Sequence, residues 1–227
     1  MTPRYGRTAP LRAPRLPNGP VPTEPPENRS YAMSSVSAVH RPGAVLADLL
    51  PASRTRDAVL VLGGAALTGL AAQIAIPVPG SPVPVTAQTF AALLVGTALG
   101  ARRGFLALAL YAVAGVLGMP WFSEGQSGAA MASFGYIPGM MIAALVVGTL
   151  ARRGADRSPL RTAGTMLLGN VIIYATGVPY LAYSAHLDAS AAIAAGLTPF
   201  ILGDLLKTAL ATGALPTAWK LIGRNQG

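Results

Sequence analysis

An all-α integral membrane protein of six transmembrane helices is the fold class that this 227-residue sequence predicts, on three observations. Hydrophobic residues make up 52% of the chain and charged residues only 11%, against roughly 25% charged residues in an ordinary soluble domain. Between Ala58 and Gly223 the few charges gather mainly in short clusters, separated by long runs rich in Ala, Leu, Gly and Val where a bilayer would lie. Finally, Lys and Arg fall in every second connection between those runs.

Taken in chain order, residues 1–56 are expected to form a disordered, basic tail. It is rich in Pro and Arg and has no apolar stretch long enough for the core of an export signal. Met33 opens a more ordinary stretch and is an alternative start. Residues 57–222 are expected to form the membrane domain, and 223–227 a short C-terminal tail. Six apolar spans are predicted at about 58–76, 85–100, 104–122, 134–151, 162–182 and 196–219. The second is shorter than the roughly 17–25 residues of an ordinary spanning helix, and the third reaches that length only by including Met119 to Phe122. These two read as tilted partners of a hairpin broken at Arg102-Arg103-Gly104, or one of them as re-entrant. In the connector Pro77-Val-Pro-Gly-Ser-Pro-Val-Pro84, each proline removes a backbone donor and restricts the residue before it, so the segment is predicted to be an extended loop.

The charges set the orientation. Of the seventeen basic residues, eight precede the first span, two lie between spans two and three (Arg102, Arg103), four between spans four and five (Arg152, Arg153, Arg157, Arg161), and two follow span six (Lys220, Arg224). The alternate connections hold no Lys or Arg. Cytoplasmic loops are enriched in these residues, so both termini are predicted to be cytoplasmic in a multi-pass protein of the cell membrane. The same distribution assigns the net charge of +9 to topology and not to nucleic acid.

The remaining basic residue, Lys207, lies inside the sixth span one turn from Asp204. Ionisable groups at membrane depth cost about 2.5–3.5 kcal/mol each on insertion scales and are usually buried and used. A spacing of three puts both side chains on one helix face. They serve as a neutralised clasp between helices, as the lining of a polar pocket for a small ligand, or as an ion relay; composition does not choose among these. Gln73, Thr86, Gln88, Tyr136, Asn170 and Tyr174 are further polar groups in or beside the spans, each of which taken singly reads as an interhelical hydrogen bond. Trp121 and Phe122 read as interfacial anchors or as an apolar wall for a ligand. Ala71 and Ala75, four apart on the first span, suit close helix packing.

Several chemistries find no residues to carry them. There is no cysteine, and His40 and His186 lack metal-ligand spacing, so no metal site is predicted. No phosphate-cradling Gly-x-x-x-x-Gly-Lys-Ser/Thr loop occurs, nor a His-Glu-x-x-His or Gly-x-Ser-x-Gly sequence. No catalytic residue and no cofactor are therefore assigned. A membrane-embedded enzyme and an autonomous secondary transporter or channel using Asp204 and Lys207 as a relay are the readings from other classes.

Pro84-Val-Thr-Ala-Gln-Thr-Phe90, the Gly-Ala-Arg-Arg-Gly turn at 100–104, Gly118-Met-Pro-Trp-Phe122, Gly135-Tyr136, Gly169-Asn-Val-Ile-Ile-Tyr174 and Gly203-Asp-Leu-Leu-Lys207, in this order over residues 57–222, resemble the BioY family. That family comprises the biotin-specific S components of energy-coupling-factor (ECF) transporters. The resemblance implies a six-helix bundle that captures biotin from outside and assembles with a transmembrane coupling protein and two cytoplasmic ATPases. It implies that Asp204 and Lys207 contact biotin, followed by Thr86, Gln88 and Tyr136, then Asn170. Ala71 and Ala75 correspond to the small residues by which such subunits meet the coupling protein. One departure is Ser133-Phe134-Gly135-Tyr136, where the family pattern has Thr-Gly-Gly-Tyr.

Overall fold

The computed structural model describes residues 43–224. Most of the expected basic tail, the alternative start at Met33 and residues 225–227 lie outside the described residues. The described chain is almost wholly helical: α1 (Arg54–Ala72), α2 (Gln88–Leu99), α3 (Ala101–Val116), α4 (Tyr136–Arg152), α5 (Pro159–Ser184), α6 (Ala189–Gly196) and α7 (Ile201–Arg224). By length and composition three segments can cross a membrane: α1, α5 and the stretch Ala189–Ile222 that spans α6 and α7. The apolar helices α2 and α4 are shorter.

The folded body begins ahead of the expected boundary at residue 57. A 3-10 turn, Leu46–Leu49, precedes α1, and Val45 and Ala47 are buried with Val95, Leu99, Ala107 and Ala151. Ser53 then caps α1 by accepting a hydrogen bond from the Arg56 N–H at 2.9 Å. The helix stops at Ala72, and the proline-rich connector follows as an extended loop, closed at its base by a two-residue antiparallel pairing of β1 (Ala75–Ile76) with β2 (Val85–Thr86).

The helix break between the second and third spans lies at Gly100, not at Arg102-Arg103-Gly104. Gly100 has φ of +81°, a conformation that glycine adopts without strain, and α3 starts at the next residue. Arg102 and Arg103 therefore stand in the first turn of α3, where the helix dipole disfavours cations. Asp48 offsets this for Arg103, whose Nη2 lies 2.5 Å from Asp48 Oδ1. Helix α3 ends at Val116, so Met119 to Phe122 belong to a non-helical connection and not to a third span. The sixth span is also divided. Leu197-Thr198-Pro199 interrupts it, because Pro199 has no N–H to continue the ladder, and a 3-10 turn, Thr198–Phe200, bends the chain from α6 into α7.

Helix α4 is the hub of the bundle. It packs on α2, α3 and α5, with Ala143, Ala144, Val147 and Ala151 wholly buried; α1 lies against α2 and α3, and α7 against α5. Four connections meet at one end. Arg152 Nη1 donates to Gly43 O at 3.0 Å, Arg157 Nη2 to Ala44 O at 3.2 Å, and Trp219 Nε1 of α7 to Asp156 Oδ2 at 2.7 Å. The Arg157 guanidinium lies 4.5 Å from the centre of the Trp219 ring. The start of α1, the α2–α3 turn, the α4–α5 connection and the foot of α7 thus share one end, which carries the basic loops.

Candidate functional site

The opposite end holds an open cavity that encloses about 480 Å³ counting the solvent at its mouth. Val83, Pro84 and Thr86 of the first loop form one wall, with Gln88 and Thr89 from the first turn of α2. Ser123, Met131 and Ser133 of the α3–α4 connection form a second. Tyr136, Ile137 and Met140 of α4, Tyr174 of α5, and Phe200 and Lys207 at the head of α7 complete it. The lining is mostly apolar, with a small set of polar groups converging from four helices and two connections.

Those groups are linked. Lys207 Nζ donates to Asp204 Oδ1 at 3.1 Å and to Thr89 Oγ1 at 3.0 Å. The Tyr174 hydroxyl donates to the other oxygen of Asp204. Asp204 is buried, Lys207 is half-buried, and the pair lies one helical turn apart on α7. Burying two such groups is costly unless each has a close partner, and here each has one. The arrangement presents a fixed ammonium and the Tyr174 hydroxyl to a cavity otherwise lined by side chains such as Met140, Met131 and Phe200, with the carboxylate held just behind them. Chemically it can bind a neutral or singly charged molecule that has both donors and acceptors.

The structure brings Thr86, Gln88, Tyr136 and Lys207 to this one cavity, with Asp204 directly behind Lys207. Asn170 lies elsewhere: it lines a smaller adjoining pocket of about 170 Å³ with Phe90, Leu93, Met166, Thr208 and Lys207. Lys207 stands between the two. Tyr136 is fixed by its hydroxyl, which donates to Gly196 O at 2.8 Å, and its ring packs on Gly177, where a Cβ would collide with it.

Thr89 and Tyr174 were not among the expected ligand contacts. Thr89 follows the Thr86–Gln88 pair directly, and Tyr174 lies one turn from Asn170 on α5. Spacing places them beside those residues, but only the fold aims their hydroxyls at the charged pair. Neither Trp121 nor Phe122 lines the cavity, and Phe122 is too deeply buried to be an interfacial anchor. Phe122 is wholly buried, and Trp121 packs beside Tyr111 with ring centroids 5.1 Å apart. Gln73 ties them to α1, its Nε2 donating to Trp121 O at 3.0 Å and to Phe122 O at 3.1 Å. Ala71 and Ala75 share no helix face, since α1 ends at Ala72, Ala75 pairs with Thr86 in the small sheet, and Ala71 is buried within the chain. Among the described residues no group of His, Cys, Asp or Glu could hold a metal ion.

The model of the family described as "BioY family" matches residues 41–224. The biotin transporter BioY2 of Lactococcus lactis subsp. cremoris (strain MG1363) is 36% identical over 156 residues, covering 67% of this chain and 84% of that protein. The biotin transporter BioY of Thermotoga maritima is 37% identical over 139 residues, covering 60% and 80%. A crystal structure at 2.1 Å, described as the S-component for biotin from an ECF-type ABC transporter, superposes with a TM-score of 0.67 at 19% identity, over 78% of this chain and 96% of that one, and so shares its fold.

Proposed function

The chain belongs to the BioY family, and from that premise we propose that it is a membrane protein that captures biotin in the cavity at the head of α7 and serves its uptake as the S component of an ECF-type transporter. The observation that carries this reading is the Tyr174–Asp204–Lys207–Thr89 network facing a mostly apolar cavity. Biotin presents a ureido ring with two N–H donors and a carbonyl acceptor, an apolar sulfur ring and a carboxylate. Asp204 can accept from a ureido N–H in a charge-assisted hydrogen bond. Lys207 can donate to the ureido carbonyl or the carboxylate. Thr86, Gln88 and Tyr136 flank the ring system, and Asn170 acts from the adjoining pocket.

The same reading has six membrane passes, with the short α2 and α3 forming a tilted hairpin and α6–α7 acting as one pass. Both termini and the basic loops are cytoplasmic and the cavity faces outward, an orientation favoured by the gathering of Arg103, Arg152 and Arg157 at the far end from the cavity. Energy comes from a transmembrane coupling protein and two cytoplasmic ATPases. The first helix meets the coupling protein, and the side available for this is the exposed one carrying Val59, Leu62, Leu67 and Leu70.

The test is calorimetric titration of biotin into the purified wild type and the double variant Asp204→Asn/Lys207→Met, with thermal unfolding as the folding control. Removing both charges together relieves the desolvation cost of the pair, so the double variant should remain folded. It should fail to bind. A folded double variant with unchanged affinity would make the pair a structural clasp and sink the assignment.

A further inference from the structure

We propose that Tyr174 is the positioning residue of the site: its hydroxyl fixes the plane of the Asp204 carboxylate and leaves its own oxygen free to accept a second ligand N–H. This rests on the reading of the cavity as a biotin site. Asp204 is held on both sides, Oδ1 by Lys207 at 3.1 Å and Oδ2 by Tyr174. Lys207 lies on the same helix, and its long side chain is shared with Thr89. Tyr174 comes from another helix, α5, and is the group that stops the carboxylate rotating about its own bond.

The tyrosine is itself held. Its ring meets Tyr136 edge-on, with centroids 6.2 Å apart and planes at 90°, and Phe200 at 6.3 Å. Tyr136 cannot swing away, because its hydroxyl is bonded to Gly196 O and its ring is seated on Gly177 of α5. The Tyr174 hydroxyl therefore points at Asp204 before any ligand arrives. A phenol that donates to a carboxylate keeps its acceptor lone pairs. The Asp204/Tyr174 pair thus offers two adjacent acceptors, and Lys207 and Thr89 stand beside it, where Lys207 has a donor left over. A cyclic urea fits this pattern; a ring bearing acceptors in place of its N–H groups leaves both oxygens facing lone pairs and is rejected.

Tyr174→Phe keeps the ring and removes only the hydroxyl. Calorimetry should show biotin bound about tenfold more weakly, as for the loss of one hydrogen bond to a charged group, with the unfolding midpoint little changed. In an Asp204→Asn background, measured by displacement at high ligand concentration, the same substitution should change affinity by less than about twofold, because two residues that act as one unit are non-additive. A residue that merely fills space would cost the same in both backgrounds, and that additivity would overturn the proposal. If Asp204→Asn leaves no binding to measure, infrared spectroscopy decides: the carboxylate band absent from Asp204→Asn must shift in Tyr174→Phe, and an unshifted band overturns it. Failure of the wild type to bind biotin would reject the function; equal binding by wild type and Tyr174→Phe would reject only this inference.

Discussion

Two buried aspartates in this protein are satisfied to different degrees, and the difference is measurable. Asp204 has a donor on each oxygen. Asp156, in the α4–α5 connection and 1% exposed, has the Trp219 indole on Oδ2 and no partner on Oδ1. Burial pushes its carboxyl above the usual range, against the opposing pull of the Trp219 hydrogen bond and the Arg157 charge. The folded protein then holds this proton more tightly than the unfolded chain. Its contribution is most favourable at low pH and declines as pH rises from about 4 through the folded value. Asp156→Asn keeps an acceptor for Trp219 and removes the charge. Thermal unfolding should show a higher midpoint than wild type at pH 8, with the gain shrinking toward pH 4; a lower midpoint at pH 8 would mean that Arg157 needs that charge. Asp204 and Lys207 were legible in the sequence because charge inside an apolar run is conspicuous. Tyr174 was visible only as one polar group among several, since a hydroxyl reveals its partner only when two distant helices are brought together.

Among the elements, the segment 43–50 departs furthest from its reading as tail. Val45-Leu46-Ala47 is too short an apolar run to show periodicity, yet Val45 is wholly buried and Asp48 is gripped by Arg103 and Arg152. Burial opposes the Asp48 charge, but the hydrogen bonds from Arg103 and the Val45 N–H and the charges of both arginines outweigh it and hold the carboxyl below its usual range. Stability from such a group is present above about pH 4 and is lost as pH falls through the folded value. Asp48→Asn should therefore cost about 1–2 kcal/mol at pH 7, with the difference from wild type vanishing in acid; a constant difference at all pH values would mean that the charge is irrelevant. The break between α2 and α3 was predicted near the paired arginines and lies at Gly100, whose backbone reverses the chain. Gly100→Ala, forced into positive φ, should lower stability by about 1 kcal/mol or more, read as a drop in the unfolding midpoint. The proline-rich loop was legible outright, because proline acts through its own backbone and needs no tertiary partner.

For the molecule as a whole, the alternation of basic and non-basic connections anticipated which helix ends meet, and the packing brings Arg103, Arg152 and Arg157 together. Helix lengths were harder to read. Composition continues as apolar through Met119 to Phe122, and only the contacts of Trp121 and Phe122 show that the chain has left the helix. The orientation is tested by single-cysteine labelling in a chain that has no cysteine of its own. Ser123 is buried at the cavity, so Ser127 and Ser190, both exposed, are the better reporters. Cysteines there should react with an impermeant reagent in intact cells; reaction only after the membrane is broken would invert the topology.

The position of Lys207 on α7 sets how far a bound solute has already travelled. It lies six residues beyond Ile201, about 9 Å along the helix axis; in the proposed orientation, with the head of α7 at the outer boundary of the bilayer, that is roughly a third of a 30 Å hydrocarbon layer. A charge at that depth feels a similar fraction of the transmembrane voltage, about 0.8 kcal/mol per 100 mV. With the pair itself neutral, the voltage acts on the ligand alone. In vesicles carrying an imposed potassium diffusion potential, a biotin carboxylate seated at Lys207 makes affinity fall about fourfold per 100 mV of inside-negative voltage. A carboxylate left at the mouth, with the ureido ring innermost, makes affinity almost indifferent to it. The voltage dependence of binding therefore reports which end of the vitamin enters first.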